Sequence, residues 1–344
     1  MKYAKHAVAF LITVTCLYLA FRGIDLRESI KIFDISRDRW LYLCGFVSIC
    51  LAVMWVRAWR WKFFYLKEHH ASVWGLTVAN VVGFMTNNIL PFRIGELVRA
   101  LMAVRKTKSP LSYTIGSLFI ERTLDTLCLI LCLLLGLSFS RSMPPGAYLA
   151  GQLTTVLFFG SVFLLYLLRG KPHLIMKVVL PFSRKFLPKR LVPRAERFLY
   201  IFTDGLRILQ DKPSMLKIVA LSLFHWWLVV FSYSLAFQAF SLGPLPWTAP
   251  YLTLGIVGMG VALPSSPAYV GPVHAAIVFS LAAYGIDQHL AQGFAVVMHL
   301  LMFGPITVIG LALMWREGLS LATIRQRAEK TEVKVDQSAL VIDP

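Results

Sequence analysis

The chain has 344 residues, of which 57% are hydrophobic and 15% charged, with a mean hydropathy of +0.67. A soluble protein carries about a quarter charged residues, so the long apolar runs exclude an ordinary soluble domain and point to an integral membrane protein. The formal net charge of +18 resides in loops flanking those runs, which speaks for membrane orientation and anionic headgroups rather than nucleic acid.

In chain order, MKYAKHAVAFLITVTCLYLAFRG has a basic start and an apolar core, with no small-x-small cleavage site before Arg22. It predicts an uncleaved first span at about 6–21. A second span at about 40–61 ends in WVRAWRW, which reads as a cytoplasmic aromatic belt whose Arg57 and Arg60 snorkel, an anchor only. The apolar region 73–102 is interrupted by MTNNILPFRIGELVRA, and a third span follows at about 112–139. Further spans are expected at about 147–168, 215–240 and 289–314, each near or above the ~20 residues that cross ~30 Å of hydrocarbon. The region 250–285 is interrupted in its turn by VALPSSPAYVGPVHAA. Cys16, Cys44, Cys50, Cys128 and Cys132 lie in or beside apolar runs without metal-type or disulfide-type spacing, and read as buried thiols. No metal site or cofactor is expected.

Orientation follows from basic residues. The linker 169–217 is rich in Lys and Arg and is placed in the cytoplasm, where VPRAERFLYIFTDGLRIL forms an amphipathic helix on the inner leaflet. SLGPLPWTAP at 241–250 and SRSMPPGAY at 140–148 carry almost no charge and are placed outside, and the tail 315–344 returns to the cytoplasm. With these anchors, 73–102 must enter and leave on the cytoplasmic side and 250–285 on the external side, so each is expected to be a re-entrant hairpin. The loop 22–39, mixed in charge, is then external. The fold class expected is an all-α polytopic membrane protein of about six full spans and two re-entrant helical hairpins. Residues 1–139 and 140–314 form its two halves as an inverted repeat, with both termini cytoplasmic in a plasma or inner membrane. Val82-Gly83 with Pro91 and Gly95 in one hairpin parallel Val257-Gly258 with Pro267 and Gly271 in the other.

NNILPFRIGELVRALM, FIERTLDTLCL and LPSSPAYVGPVHAA, in that order, resemble the marks of the lysylphosphatidylglycerol synthase transmembrane-region family, whose members are also called flippase-like domain proteins. The resemblance covers nearly the whole chain. It implies a polytopic protein that moves lipids or lipid-linked sugars between leaflets. Bifunctional members carry a soluble aminoacyl-transferase domain after the last span, where this chain has only the tail 315–344, so synthase activity is not expected. Family members often show Pro-Gly-Gly-like residues in the second hairpin, where this chain has Ala268 and Tyr269.

Charged residues inside apolar regions mark the candidate site, because each costs roughly 2.5–3.5 kcal/mol at a bilayer centre. Arg93, Glu96 and Arg99 follow at three-residue spacing and would share one helix face, while Glu121 and Asp125, with Arg122 between them, share a face of the next span. Asn87 and Asn88 precede Pro91, suiting a helix start at Pro91, and Ser265 and Ser266 precede Pro267 in the same manner. Two half-helix N-termini, Arg93, and the neighbouring Tyr269 and His274 would then suit a phosphate. A plainer reading stands beside it: Arg and Glu neutralise one another to hold the first hairpin against span 112–139, and Asn, Ser and Tyr serve caps and turns. His225 and His299 read as interior histidines, and on the plainer reading so does His274.

The expected function is a carrier, not an enzyme, for an anionic phospholipid or a polyprenyl-phosphate-linked lipid. No GxxxxGK[ST] loop is present for ATP hydrolysis. Two alternatives remain: an integral membrane transferase acting on a lipid phosphate, and an accessory subunit of a lipid-modifying enzyme or membrane glycosyltransferase. Membrane lipids are the expected partners, and nucleic acid is not.

Overall fold

A computed structural model describes residues 2–21, 39–65, 71–90, 93–138, 155–160, 211–262 and 266–318, with scattered positions between 162 and 208. The span expected at 147–168, the amphipathic linker, the loop 22–39, the tail and Ser265 lie largely or wholly outside the described residues. All elements among the described residues are helical. They are α1 (Lys2–Phe21), α2 (Trp40–Lys62), α3 (Val73–Ile89), α4 (Ile94–Thr107), α5 (Leu111–Ser138), α6 (Lys212–Ala239), α7 (Ala249–Ala262), a 3-10 turn (Pro267–Tyr269), α8 (Pro272–Ala282) and α9 (Gln288–Arg316). Of these, α2, α6 and α9 are long and apolar enough to cross a membrane by length and composition.

Local chemistry sets the helix ends. Ser72 Oγ accepts from Gly75 N at 3.0 Å to cap α3, and Asp287 Oδ1 accepts from His289 N and Leu290 N to cap α9. Pro213 lies in the first turn of α6 and Pro272 opens α8, where a missing N–H costs nothing.

The first interrupted region is a helical hairpin with halves in very close approach. Gly83 lies against Gly95 and Arg99, and Gly75 against Lys106, so α3 and α4 run antiparallel. A Cβ on Gly95 would collide with the Gly83 carbonyl and the Asn87 side chain. The second interrupted region folds likewise, with Gly260 of α7 against Pro272 and Ala276 of α8. Gly258, matched with Gly83 from the sequence, instead meets Leu129 of α5.

Three further antiparallel pairings assemble these units. The α2–α6 pair runs from Gly45 beside Leu235 to Arg60 beside Ser222. Along α5 and α7, Gly136 meets Leu252, Leu133 meets Gly255, and Leu129 meets Gly258. In the α3–α9 pair, Met85 and Val81 meet Gly310, and Asn88 Nδ2 donates to Thr307 Oγ1 at 2.8 Å. Small residues at these crossings let backbones approach, which is how membrane helices gain contact when lipid is as apolar as their side chains. The first helix of each hairpin thus packs on the long helix that closes the other half. α1 packs on α8, and Thr13 Oγ1 accepts from Ser266 N at 3.0 Å at the second hairpin tip.

Candidate functional site

Glu121 and Asp125 lie one turn apart on the buried face of α5, as their spacing predicts. Their principal partners come from α2, not only from the first hairpin. Arg57 and Arg60, three residues apart, put both guanidinium groups on that face, at 6% and 0% exposure. This overturns their assignment as snorkelling anchors: the stem of an interfacial Arg carries its head to water, whereas these heads end on carboxylates. Glu121 accepts from Arg57 Nε at 2.8 Å and from Arg99 Nη2 at 2.5 Å, and lies 3.3 Å from Arg60 Nη2. Asp125 accepts from Arg57 Nη2, from Arg60 Nη1 at 2.8 Å and from Trp226 Nε1 at 3.2 Å.

Neighbouring groups fix these side chains. Arg60 Nη1 also donates to Ser222 Oγ at 3.1 Å on α6. Arg99 Nε donates to Asn80 Oδ1 at 2.5 Å, and its guanidinium lies 4.2 Å from the Trp61 ring centroid, a cation–π contact. Trp61 Nε1 is held in turn by Ser117 Oγ at 3.0 Å. Arg57 lies 5.1 Å from the centroid of Phe84. Arg99 is 1% exposed.

The cluster changes character at one edge. Arg122 has a side chain 41% exposed and lies 3.6 Å from Glu96, itself 34% exposed. Arg57, Arg60, Arg99 and Arg122 face Glu96, Glu121 and Asp125, so four positive charges meet three negative ones and one positive charge is in excess. Arg122 Nε has no hydrogen-bond acceptor among the described residues.

Arg93 stands apart from this network. The helix expected to start at Pro91 starts at Ile94, with Arg93 as its N-cap residue in the left-handed region (φ 54°). Arg93 therefore does not continue the helical face of Glu96 and Arg99, because its side chain leaves from a non-helical backbone. Its guanidinium crosses to the second hairpin, where Nη2 donates to the Val261 carbonyl in the last turn of α7 and the group lies 5.6 Å from the Tyr269 ring centroid. Ala268 and Tyr269 also have positive φ, at 54° and 58°. Three non-glycine residues in a strained region thus meet at the two hairpin tips, each strain of order 1–3 kcal/mol. Glu96, in the first turn of α4, lies 3.6 Å from Arg122, which joins the first hairpin tip to the exposed edge of the cluster.

The remaining candidates take structural positions around these tips. Asn87 and Asn88 are not cap residues ahead of a helix but the last turn of α3. Asn87 Oδ1 accepts from Gly95 N at 2.8 Å, closing the first turn of α4 from the side, and Asn88 binds α9. Ser266 Oγ donates to the Val270 carbonyl at 2.9 Å within the second tip. His274 Nδ1 accepts from Gly271 N at 3.4 Å, and its ring lies 4.6 Å from that of His299, whose Nε2 bonds the Ala268 carbonyl at 2.9 Å. His225 is 1% exposed and packs edge-on to Trp226.

Sequence reasoning missed Arg57, Arg60, Asn80, Trp61 and Trp226. A signal for the first two was present: two Arg at helical spacing inside an apolar span, in a chain with two acids at helical spacing elsewhere. Among the described residues, no three His, Cys, Asp or Glu are grouped to hold a metal ion.

The profile of one protein family, the lysylphosphatidylglycerol synthase TM region, matches residues 6–310 of the 344. Neither curated proteins nor solved structures gave a match. A match over nearly all of the helical region, on a chain that buries an Arg–carboxylate network among apolar helices, places this membrane protein in a lipid-related family: the chain belongs to the lysylphosphatidylglycerol synthase TM region family.

Proposed function

We propose that the protein carries an anionic lipid, a phospholipid or a polyprenyl-phosphate-linked lipid, between the leaflets of a plasma or inner membrane. The observation that supports this most is the excess positive charge at the edge of the buried cluster, where Arg122 pairs with Glu96 beside the first hairpin tip, together with Arg93, which bridges the two tips. A planar guanidinium grips phosphate through two parallel hydrogen bonds. Arg93 is held by one carbonyl oxygen and one ring face, both neutral, so a phosphate competes for it on favourable terms. Arg57, Arg60 and Arg99 are bound to carboxylates and act as the scaffold behind it.

The architecture proposed is six spans and two re-entrant hairpins in an inverted repeat, with both termini cytoplasmic. Reciprocal packing supports it: α3 on α9 mirrors α7 on α5, and α2 on α6 is its own mirror. The headgroup passes between the hairpins while the hydrocarbon stays at lipid depth.

The test is leaflet exchange of fluorescent phosphatidylglycerol by the full chain in proteoliposomes. Exchange well above protein-free vesicles is expected, reduced about tenfold by Arg93→Ala, the loss of ~1.4 kcal/mol expected from one charge-assisted contact. A covalently altered lipid at the end of the assay would instead favour a membrane transferase. No exchange with an intact cellular phenotype of Arg93→Ala and Arg122→Ala would favour an accessory subunit.

A further inference from the structure

Between α2, α3, α6 and α9 lies a cavity of about 160 Å³ whose lining, including Phe46, Val53, Met54, Phe84, Met302 and Ile306, is almost wholly apolar. Its polar side chains are already engaged: Asn88 donates to Thr307, Ser232 to the Val229 carbonyl and Tyr233 to the Met302 sulfur at 3.8 Å. Nothing in it recognises a polar guest. An engineered cavity of about 150 Å³ lined by aliphatic side chains stays dry and accepts benzene or xenon, so this volume suits a short stretch of hydrocarbon. Two of its walls are shared with the site above. Phe84 carries Arg57 on its ring, and Phe303 packs 6.2 Å from Tyr269, over which Arg93 lies.

We infer that this cavity is a slot for one hydrocarbon chain of a membrane lipid. The order Arg93, Tyr269, Phe303, cavity lays a phosphate and a chain side by side along one path. The inference rests on the proposed transport only in taking that phosphate to be the cargo's. Lipid is as apolar as the lining, so transfer from the bilayer brings no hydrophobic gain. What the slot supplies is dispersion contact with its walls, which depends on chain shape. It therefore acts as a gauge of the chain, while the arginines act on the headgroup.

The probe is phosphatidylglycerol bearing a diazirine midway along one acyl chain, in vesicles of phosphatidylcholine and phosphatidylglycerol with the full chain. After photolysis, mass spectrometry is expected to find adducts on Met302, Phe303 or Val53. Their yield should fall several-fold in Cys50→Phe and in Val229→Phe, which fill the cavity from different helices, so that one informs if the other misfolds. Adducts on the outward-facing Leu223 and Val308, 52% and 68% exposed, should persist in both. Unlabelled phosphatidylglycerol or polyprenyl phosphate, whichever lowers the cavity adducts, identifies the chain. Adducts confined to Leu223 and Val308, equal cavity adducts in the filled variants, or no effect of either competitor would overturn the slot. Leaflet exchange in the same vesicles separates the two readings. Exchange without cavity adducts removes the slot alone; cavity adducts without exchange keep the slot and remove transport.

Discussion

Replacing Asp125 by Ala probes whether the arginine cluster is sealed from water. Asp125 is 4% exposed and accepts from Arg57, Arg60 and Trp226. Without it, Arg57, Arg60, Arg99 and Arg122 face only Glu96 and Glu121, and the excess rises from one positive charge to two. Breaking a buried pair from one side costs ~3–5 kcal/mol. Glu121 remains 2.8 Å from Arg57 and 3.3 Å from Arg60, which places the expected loss near the lower end, about 3 kcal/mol. One kcal/mol moves the midpoint of a 150–250-residue domain by about 2–4 °C and a longer chain by less, so a drop of roughly 5 °C is expected. Size-exclusion chromatography with fluorescence detection, after heating in detergent, reads it. The double variant Arg60→Met with Asp125→Leu removes one charge of each sign and leaves Arg57 on Glu121. It should recover most of the loss, since packed apolar residues replace a buried ion pair at little cost. A drop under about 1 °C for Asp125→Ala, or a double variant no better than the single, would refute the sealed cluster.

Arg93→Lys keeps the charge but loses the planar fork, and is expected to reduce leaflet exchange close to the tenfold of Arg93→Ala; full activity would show that charge alone suffices. Gly95→Ala forces a methyl group into the Gly83 carbonyl and the Asn87 side chain, so destabilisation of ~3 kcal/mol, the top of the usual overpacking range, should appear as loss of the monodisperse peak. Ala268→Gly relieves a left-handed residue that costs ~1–2 kcal/mol, less up to ~1 kcal/mol of added unfolded-state freedom, so the melting midpoint should hold or rise; a fall contradicts the tip geometry. Lys106 and Glu317 pair at 2.7 Å with a quarter to a third of each side chain exposed, so Lys106→Met should cost no more than ~1 kcal/mol and the cost should shrink in high salt.

The two helical breaks were legible because they are written in backbone chemistry: Pro91 stands between α3 and α4, and Pro267 and Gly271 stand between α7 and α8. The pairing of Glu121 and Asp125 with arginine was legible as a need, since two buried carboxylates demand cations. Arg99 of the first hairpin was legible as one source of those cations, but Arg57 and Arg60 were not. Arg57 and Arg60 sit among Trp55, Trp59 and Trp61, and an Arg–Trp cluster near a span's end has the same pattern whether it faces headgroups or a neighbouring helix. The face decides, and it is set by α2 packing on α6, a contact between segments more than a hundred residues apart. The displacement of the α4 start from Pro91 to Ile94 was hidden for a related reason. Asn87 Oδ1 takes the Gly95 N–H from a preceding helix, a tertiary cap that local capping rules do not describe.

The salt-bridged cluster also constrains how the protein is made. A helix bearing Glu121, Arg122 and Asp125 near its middle is a poor substrate for the translocon on its own, at roughly 2.5–3.5 kcal/mol for each charge at a helix centre. Arg57 and Arg60 reach those carboxylates from a helix that emerges from the ribosome earlier. In the proposed six-span architecture, integration of α5 is expected to depend on α2, and a nascent chain lacking α2 is expected to release α5 unintegrated.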